Sequence, residues 1–290
     1  MPTAPAARVR SPSPSYLDSW PLLAGFAVLA IPTAITLAEL DWTRENGAHE
    51  PIVLAVSCWL FWRQWPQARS AAVLGHWAPT LLLLLIALPT YVFGRAYDFP
   101  TLEAAGLFGA GLALLHARFG LAVIRALWFP ILFTAFAIPP PQALLDTLTA
   151  PLKELVSYLA TSSLALLGLP VARQGVVIFV AQYQLLVEDA CSGMNSLVGL
   201  TALSLLYGFL SQGQSLANSA FMIILAIPAA IAANVARVAL LVLVTYVFGD
   251  AAAQGFMHFA AGIVLFSIAL LLIFATDKAV RGVASLNRRA

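Results

Sequence analysis

The stretch Ala72–Phe93 reads AVLGHWAPTLLLLLIALPTYVF and holds no Asp, Glu, Lys or Arg from end to end. A bilayer core about 30 Å thick is crossed by about 20 predominantly apolar residues in a helix. This stretch meets that requirement, and no soluble core needs so long an uninterrupted apolar run. The whole chain agrees with it. Of 290 residues, 61% are hydrophobic and 10% charged, and the mean hydropathy is +0.89. Ordinary soluble domains carry about 45–50% apolar and about 25% charged residues, so this chain lacks the charge to cover its apolar surface in water. The composition points to an integral membrane protein, all-α, folded as a polytopic helical bundle. A net charge of +2 without any basic run excludes nucleic acid as a partner.

Working outward from Ala72–Phe93, the same length criterion predicts spans at 19–40, 50–64, 72–93, 101–117, 122–139, 195–213, 216–236 and 257–276. That makes about eight transmembrane helices, the second of them short. The first span follows Arg8 and Arg10 and lacks a clear small-residue cleavage site, so it reads as retained rather than as a cleaved signal peptide. The domain organisation expected is a disordered Pro/Ser/Ala-rich tail over 1–18, one membrane domain over 19–276, and a basic tail over 277–290. An even number of spans puts both termini on one side. Arg8, Arg10, Arg63, Arg69, Arg118, Arg125, Lys278, Arg281, Arg288 and Arg289 then share that side, against Arg44, Arg95, Lys153, Arg173 and Arg237 on the other. The excess of basic residues marks the cytoplasm. Both termini are therefore expected inside, with the chain in the cell inner (plasma) membrane.

One long outer segment, 139–190, interrupts the spans. Pro139-Pro140-Pro141 stops a helix, because proline has no N–H to donate. Leu145, Leu148, Leu152, Leu155 and Leu159 then recur at three- and four-residue steps, with Asp146, Lys153, Glu154 and Ser157 between them. That pattern predicts an amphipathic helix lying on the outer leaflet or closing over the bundle. Val171 to Val187, rich in Val and Ile around Gly175, predicts a short strand or hairpin. The segment ends in Glu188-Asp189-Ala190-Cys191-Ser192-Gly193-Met194-Asn195, a concentration of polar and small residues at a membrane boundary.

Three residues there and beyond carry possible chemistry. Cys191 stands at the start of the sixth span. A cysteine in such a place can be a small apolar filler, but a helix N-terminus lowers a thiol's pKa and favours the reactive thiolate. Cys58, inside an apolar run between Ser57 and Trp59, reads as packing. Arg237 lies in Asn234-Val235-Ala236-Arg237-Val238-Ala239-Leu240 with no charged neighbour in sequence. An intramembrane cation costs about 2.5–3.5 kcal/mol on insertion scales, which makes a functional role the default against a buried pair or a snorkelling end. Arg237 is 21 residues beyond Leu216, roughly 31 Å at about 1.5 Å per residue, so it reaches the outer boundary. Val238 to Phe248 is then a continuation, a bend or a re-entrant piece. His258 opens the last span at the same depth. His76 and His116 read as polar anchors at inner span ends, and His49 as a loop residue beside Glu50. A thiol, a guanidinium and an imidazole at one depth suit a nucleophile, an oxyanion stabiliser and a base.

At these residues the chain resembles the exosortase/archaeosortase family of multi-spanning membrane cysteine transpeptidases. The resemblance rests on Ala190-Cys191-Ser192-Gly193 with Leu197, on Pro228 followed by Asn234-Val235-Ala236-Arg237, on His258 with Gly262, and on the Pro139-Pro140-Pro141 break. It runs from about Pro130 to Gly262. It implies that Cys191 is the nucleophile, Arg237 the catalytic arginine and His258 the third catalytic group, with Ser192, Gly193 and Asn234 supporting or binding substrate. It also implies, as substrates, exported proteins ending in a Pro-Glu-Pro-like motif, a membrane helix and a basic tail. Cleavage is expected on the outer face through a thioester, linked to exopolysaccharide production or surface-protein sorting. No cofactor is implied, and no metal-ligand motif occurs in the sequence. Two other readings use the same residues. One is a plain intramembrane protease with water as acceptor, and the other a transporter or polysaccharide-export component in which Arg237 binds an anion.

Overall fold

The computed structural model describes residues 20–40, 42, 49–186, 194–212, 216–249, 251–252, 271, 274–275 and 278. Two helices carry broad exposed apolar surfaces; the first lies within a residue of its expected span, and the second begins at Trp77, five residues after its expected start. The first, α1 (Trp20–Leu40), and α3 (Trp77–Ala96) carry large exposed apolar side chains such as Val28, Ile31, Leu82 and Ile86. In water such a surface would be unstable; in a bilayer it is the solvent-facing side. Between them, α2 (Glu50–Ala68) continues into a single 3₁₀ turn, Arg69–Ala71.

The helix α4 (Pro100–Ala126) forms an antiparallel hairpin with α3. The two backbones approach closely where glycine removes the side chain. A Cβ on Gly94 would lie 2.2 Å from the Glu103 nitrogen, and one on Gly106 would lie 2.4 Å from the Tyr91 nitrogen. Small residues at such crossings let membrane helices gain van der Waals contact in place of the missing hydrophobic drive. At the end where α3 passes into α4, Glu103 is buried, and Arg95 Nη1 reaches its Oε1 at 3.0 Å and the Thr36 hydroxyl of α1 at 2.7 Å. The Tyr91 hydroxyl donates to the Leu29 carbonyl at 2.9 Å, a second tie from α3 to α1.

The spans expected at 101–117 and 122–139 take a different form. They become one helix with a break at Gly120, where φ is 75° and ψ 178°, followed by the eight-residue α5 (Trp128–Ala135). The break exposes carbonyls, and the connector between α2 and α3 supplies their partners. Val73 N–H donates to the Phe119 carbonyl at 3.2 Å and Gly75 N–H to the Ala117 carbonyl at 3.1 Å. Only glycine adopts this φ without strain, and a Cβ on Gly120 would lie 2.5 Å from the Val73 oxygen.

Among the described residues, four helical stretches are long and apolar enough to cross a bilayer: Trp20–Leu40, Trp77–Ala96, Pro100–Ala126 and Pro228–Phe248. The shortfall from about eight has local causes. In α2 the apolar run is diluted by Glu50, Arg63, Gln64 and Gln67, and α5 has only eight residues. A further helix, α7 (Met194–Gln212), has 19 residues. The last expected span, 257–276, lies outside the described residues apart from positions 271 and 274–275. So do both tails, except 278.

The outer segment folds as α6 (Gln142–Leu166) followed by an antiparallel meander of β1 (Val171–Gln174), β2 (Val177–Val180) and β3 (Tyr183–Leu186). The all-α expectation thus holds for the bundle, and the expected strand or hairpin is three strands. Register pairs Val171 with Val180 and Val177 with Leu186. Along β2 the two-residue period buries Ile178 and Val180, as alternate residues face one side of a sheet. Gly175 makes the first turn at φ 61°, the left-handed value a tight hairpin needs there.

The orientation of α6 is the informative one. Its leucines face outward, with Leu144, Leu148, Leu155 and Leu159 exposed, while Thr149, Lys153, Val156, Ser157, Ala160 and Leu164 are buried. Lys153 and Ser157 thus lie against the protein, and the exposed surface of the helix holds these four leucines together with Asp146 and Glu154. Val156, Ala160 and Leu164 pack with Ile178, Val180 and with Val238, Leu241, Val242 and Val244 of α8 (Leu216–Phe248). The expected span 216–236 and the stretch after it are therefore a single helix of 33 residues with Pro228 inside it. A second core joins Val53 and Leu60 of α2 to Phe129 and Phe133 of α5 and to Ala202, Leu205 and Phe209 of α7.

Candidate functional site

Arg237 sits in α8 and is 5% exposed, and Asn234, one turn earlier, is 3% exposed. Residues three apart on a helix share a face, with Cβ atoms about 5–6 Å apart. The face they occupy is marked by small residues, since Ala229, Ala230 and Ala233 are buried beside them, and α7 and α6 are the helices that α8 meets. Small side chains let the neighbouring backbone come close and keep water out. The Oδ1 of Asn234 has no hydrogen-bond partner among the described residues.

Immediately beyond Arg237, the helix changes its surroundings. Val238, Leu241, Val242 and Val244 enter the core made with α6 and β2. The apolar character of the stretch is used in packing as far as Val244, whereas Tyr246, Val247 and Phe248 are exposed. Thr245, fully buried, returns its hydroxyl to the Leu241 carbonyl at 2.9 Å, and Gly249 ends the helix at φ 83° near the Tyr183 hydroxyl.

The outer segment is pinned by polar contacts that the sequence pattern did not disclose. The Gly175 carbonyl accepts from the Ser157 hydroxyl at 3.2 Å and from Arg173 Nη1 at 3.0 Å. Arg173 also lies over the Tyr158 ring at 5.5 Å and 3.9 Å from Glu154. Lys153 is 9% exposed, with its ammonium 3.2 Å from Asp146. Spacing alone showed these residues as polar interruptions of a leucine stripe; burial shows Lys153 and Ser157 inside.

Of the expected site residues, Arg237 and Asn234 are placed by the structure. Cys191, Ser192, Gly193 and His258 lie outside the described residues. The helix that follows the first three begins at Met194, close to the expected start at 195. The remaining histidines behave as structural groups. His116 is buried, with Nδ1 2.8 Å from the Thr80 hydroxyl, and His49 and His76 stand at the starts of α2 and α3. Cys58 is a free, exposed thiol on α2. Among the described residues no group of three or more His, Cys, Asp or Glu converges as a metal site would.

A cavity of about 470 Å³ opens between α1, α2, α4 and α5, lined by Phe26, Thr33, Trp42, Phe61, Phe108 and Thr134 among others. Its walls are almost wholly apolar and include neither Arg237 nor Asn234. It offers room for hydrocarbon and no reactive group.

Several helices of bilayer length with apolar exteriors define a helical membrane protein. The family model described as transmembrane exosortase matches residues 42–275, and the chain belongs to that family. The match takes in Cys191, Arg237 and His258, and it extends over the first half of the bundle, which the motifs did not reach. No curated protein and no solved structure matches significantly.

Proposed function

We propose that this protein is a membrane-embedded cysteine transpeptidase or protease that cleaves C-terminal sorting signals of exported proteins at the outer face of the bacterial inner membrane. The observation that carries the reading is the family match across 42–275, with Cys191, Arg237 and His258 all inside it. The buried position of Arg237 supports it, because a guanidinium retained in such a place by default has a task.

The depth of the site follows from the helix that carries Arg237. At about 1.5 Å per residue, the 33 residues of α8 extend roughly 50 Å, more than a bilayer core about 30 Å thick. The end beyond Arg237 packs on a three-stranded sheet whose outer strands β1 and β3 pair with no further strand among the described residues. Hydrocarbon does not tolerate lipid-exposed unpaired strand edges, so that end belongs outside the core. Arg237 then marks the level where α8 emerges, on the side of the outer segment. The positive-inside asymmetry gives that side as the outer one and both termini as cytoplasmic.

In the reaction, the Cys191 thiolate attacks the carbonyl carbon of the scissile peptide bond. His258 takes the thiol proton and returns it to the leaving nitrogen as the C–N bond breaks. Arg237 stabilises the oxyanion of the tetrahedral intermediate, whose collapse leaves a Cys191 thioester and a released C-terminal helix bearing an amine. Water or an acceptor amine then attacks the thioester and regenerates the thiol. Substrates carry a Pro-Glu-Pro-like motif, a membrane helix and a basic end, and the process serves exopolysaccharide production or surface-protein sorting. The test is trapping of a covalent adduct between Cys191 and a co-expressed tagged substrate. An adduct that disappears in Cys191→Ala supports the reading, and unimpaired conversion by Cys191→Ala rejects it.

A further inference from the structure

Asn234 has a feature that the roles given to Cys191, Arg237 and His258 do not use. Its side chain is 3% exposed, and its Oδ1 has no hydrogen-bond partner among the described residues. A buried acceptor left unmade destabilises a fold by the full cost of its desolvation, and buried polar side chains are nearly always paired. The buried hydroxyl of Thr245 on the same helix obeys this rule by bonding back one turn to the Leu241 carbonyl. Ser57 Oγ and Gln64 Nε2, also without a partner among the described residues, are on α2 and have no candidate catalytic group on their own helix. Asn234 is one turn from Arg237 on the same face.

An acceptor and a donor carried by side chains whose Cβ atoms lie about 5–6 Å apart on one helix face can both be met by one chemical group. A residue in an extended peptide directs its N–H and its C=O to the same side, which is how paired strands exchange two hydrogen bonds. We propose that Asn234 Oδ1 accepts the backbone N–H of the substrate residue whose carbonyl is attacked, while Arg237 receives that residue's carbonyl oxygen. The pair selects an extended peptide segment, not a helical one, because a helical residue has already committed its N–H to the carbonyl four residues back. A sorting signal with prolines before its membrane helix supplies such a segment, since proline and the residue before it favour extended backbone. This inference rests on the cysteine reading above and assigns its substrate contact.

The test uses the full-length protein in detergent and a synthetic peptide with a Pro-Glu-Pro motif, a membrane helix and a basic end. Mass spectrometry of the Cys191 adduct first identifies the acylated residue. A second peptide then replaces the N–H of that residue by an ester oxygen. Wild-type enzyme should lose roughly five- to hundredfold in kcat/KM on the ester, the range for one lost partner at a buried group. Asn234→Leu and Asn234→Ala should lose a similar factor on the amide peptide, and should process amide and ester peptides at nearly equal rates. The melting temperature of Asn234→Leu should not fall below that of the wild type, since leucine removes an unpaired acceptor at similar volume. Retention of the wild-type preference for amide over ester in either variant would overturn the proposal, as would undiminished turnover of the amide. A lowered melting temperature with that preference intact would assign Asn234 a structural role instead. Cleavage by Cys191→Ala at the wild-type rate overturns the cysteine reading itself, a result separate from any outcome at position 234.

Discussion

The Ser157 hydroxyl donates to the Gly175 carbonyl at 3.2 Å, joining the middle of α6 to the turn between β1 and β2. Ser157 is completely buried. The contact fixes the sheet against the same helix that packs on α8 beyond Arg237, so the placement of Arg237 depends on the integrity of a unit outside the bundle core. Ser157→Ala should lower stability by about 1 kcal/mol, the net worth of one such bond, seen as a lower thermal midpoint of the purified protein in detergent. An unchanged midpoint would mean that apolar packing of Val156, Ala160 and Leu164 holds the sheet unaided.

Gly120→Ala should be more damaging. Its φ of 75° is disfavoured for alanine, and the added methyl would lie 2.5 Å from the Val73 oxygen. Backbone strain of this sort costs about 1–3 kcal/mol, before the connector is displaced. The thermal midpoint should fall, whereas Gly25→Ala, where a Cβ meets nothing within 4 Å, should leave it in place.

Removing Arg95 and neutralising Glu103 should have unequal effects. Glu103 has a side chain only 4% exposed, and the Arg95 side chain beside it is 45% exposed. Arg95→Ala leaves a buried carboxylate without this partner and should cost about 1–3 kcal/mol, reduced by the water that reaches Arg95. Glu103→Gln keeps an acceptor in place without the charge and should cost less. Comparing the two midpoints with that of the double variant measures the coupling, and equal losses from both single changes would contradict this account.

At the candidate site, Cys191→Ala should abolish conversion of a tagged substrate, with enzyme levels in the membrane unchanged. Arg237→Lys should also fail, because lysine retains the charge and loses the planar fork that presents two donors to an oxyanion. His258→Ala should lower turnover by about a hundred- to ten-thousandfold, the usual contribution of a positioned acid–base group. Cys58→Ala is the control and should convert normally, since Cys58 is an exposed thiol on α2. Full activity of Arg237→Lys would limit the role of the residue to its charge.

Topology is open to a direct measurement. Reporter fusions after Arg289 should report the cytoplasm, and fusions at Gln182, in the turn between β2 and β3, should report the outer side. The reverse pattern would place the Arg237 end of α8 in the cytoplasm and remove the outer-face site.

The residues themselves determined that this chain lives in a bilayer, because apolar content and charge scarcity act through composition and need no contact map. They also determined where α1 runs and most of α3, since an apolar stretch of bilayer length is satisfied by a helix that pairs its own backbone; residues 72–76 of the expected span became connector instead. The motif around Cys191, Asn234, Arg237 and His258 was equally visible, as a pattern of residue types. Tertiary structure decided what single-chain periodicity cannot express. Gly120 breaks α4 because the 72–76 connector is there to pair with the freed carbonyls of Ala117 and Phe119. The leucines of α6 face outward because Val156, Ala160 and Leu164 find complementary surfaces on the sheet and α8; an amphipathic pattern identifies two faces without saying which one meets protein. Val238 to Phe248 extends α8 for the same reason: an apolar stretch is as suitable for lipid as for a protein core, and only the partner it meets distinguishes them.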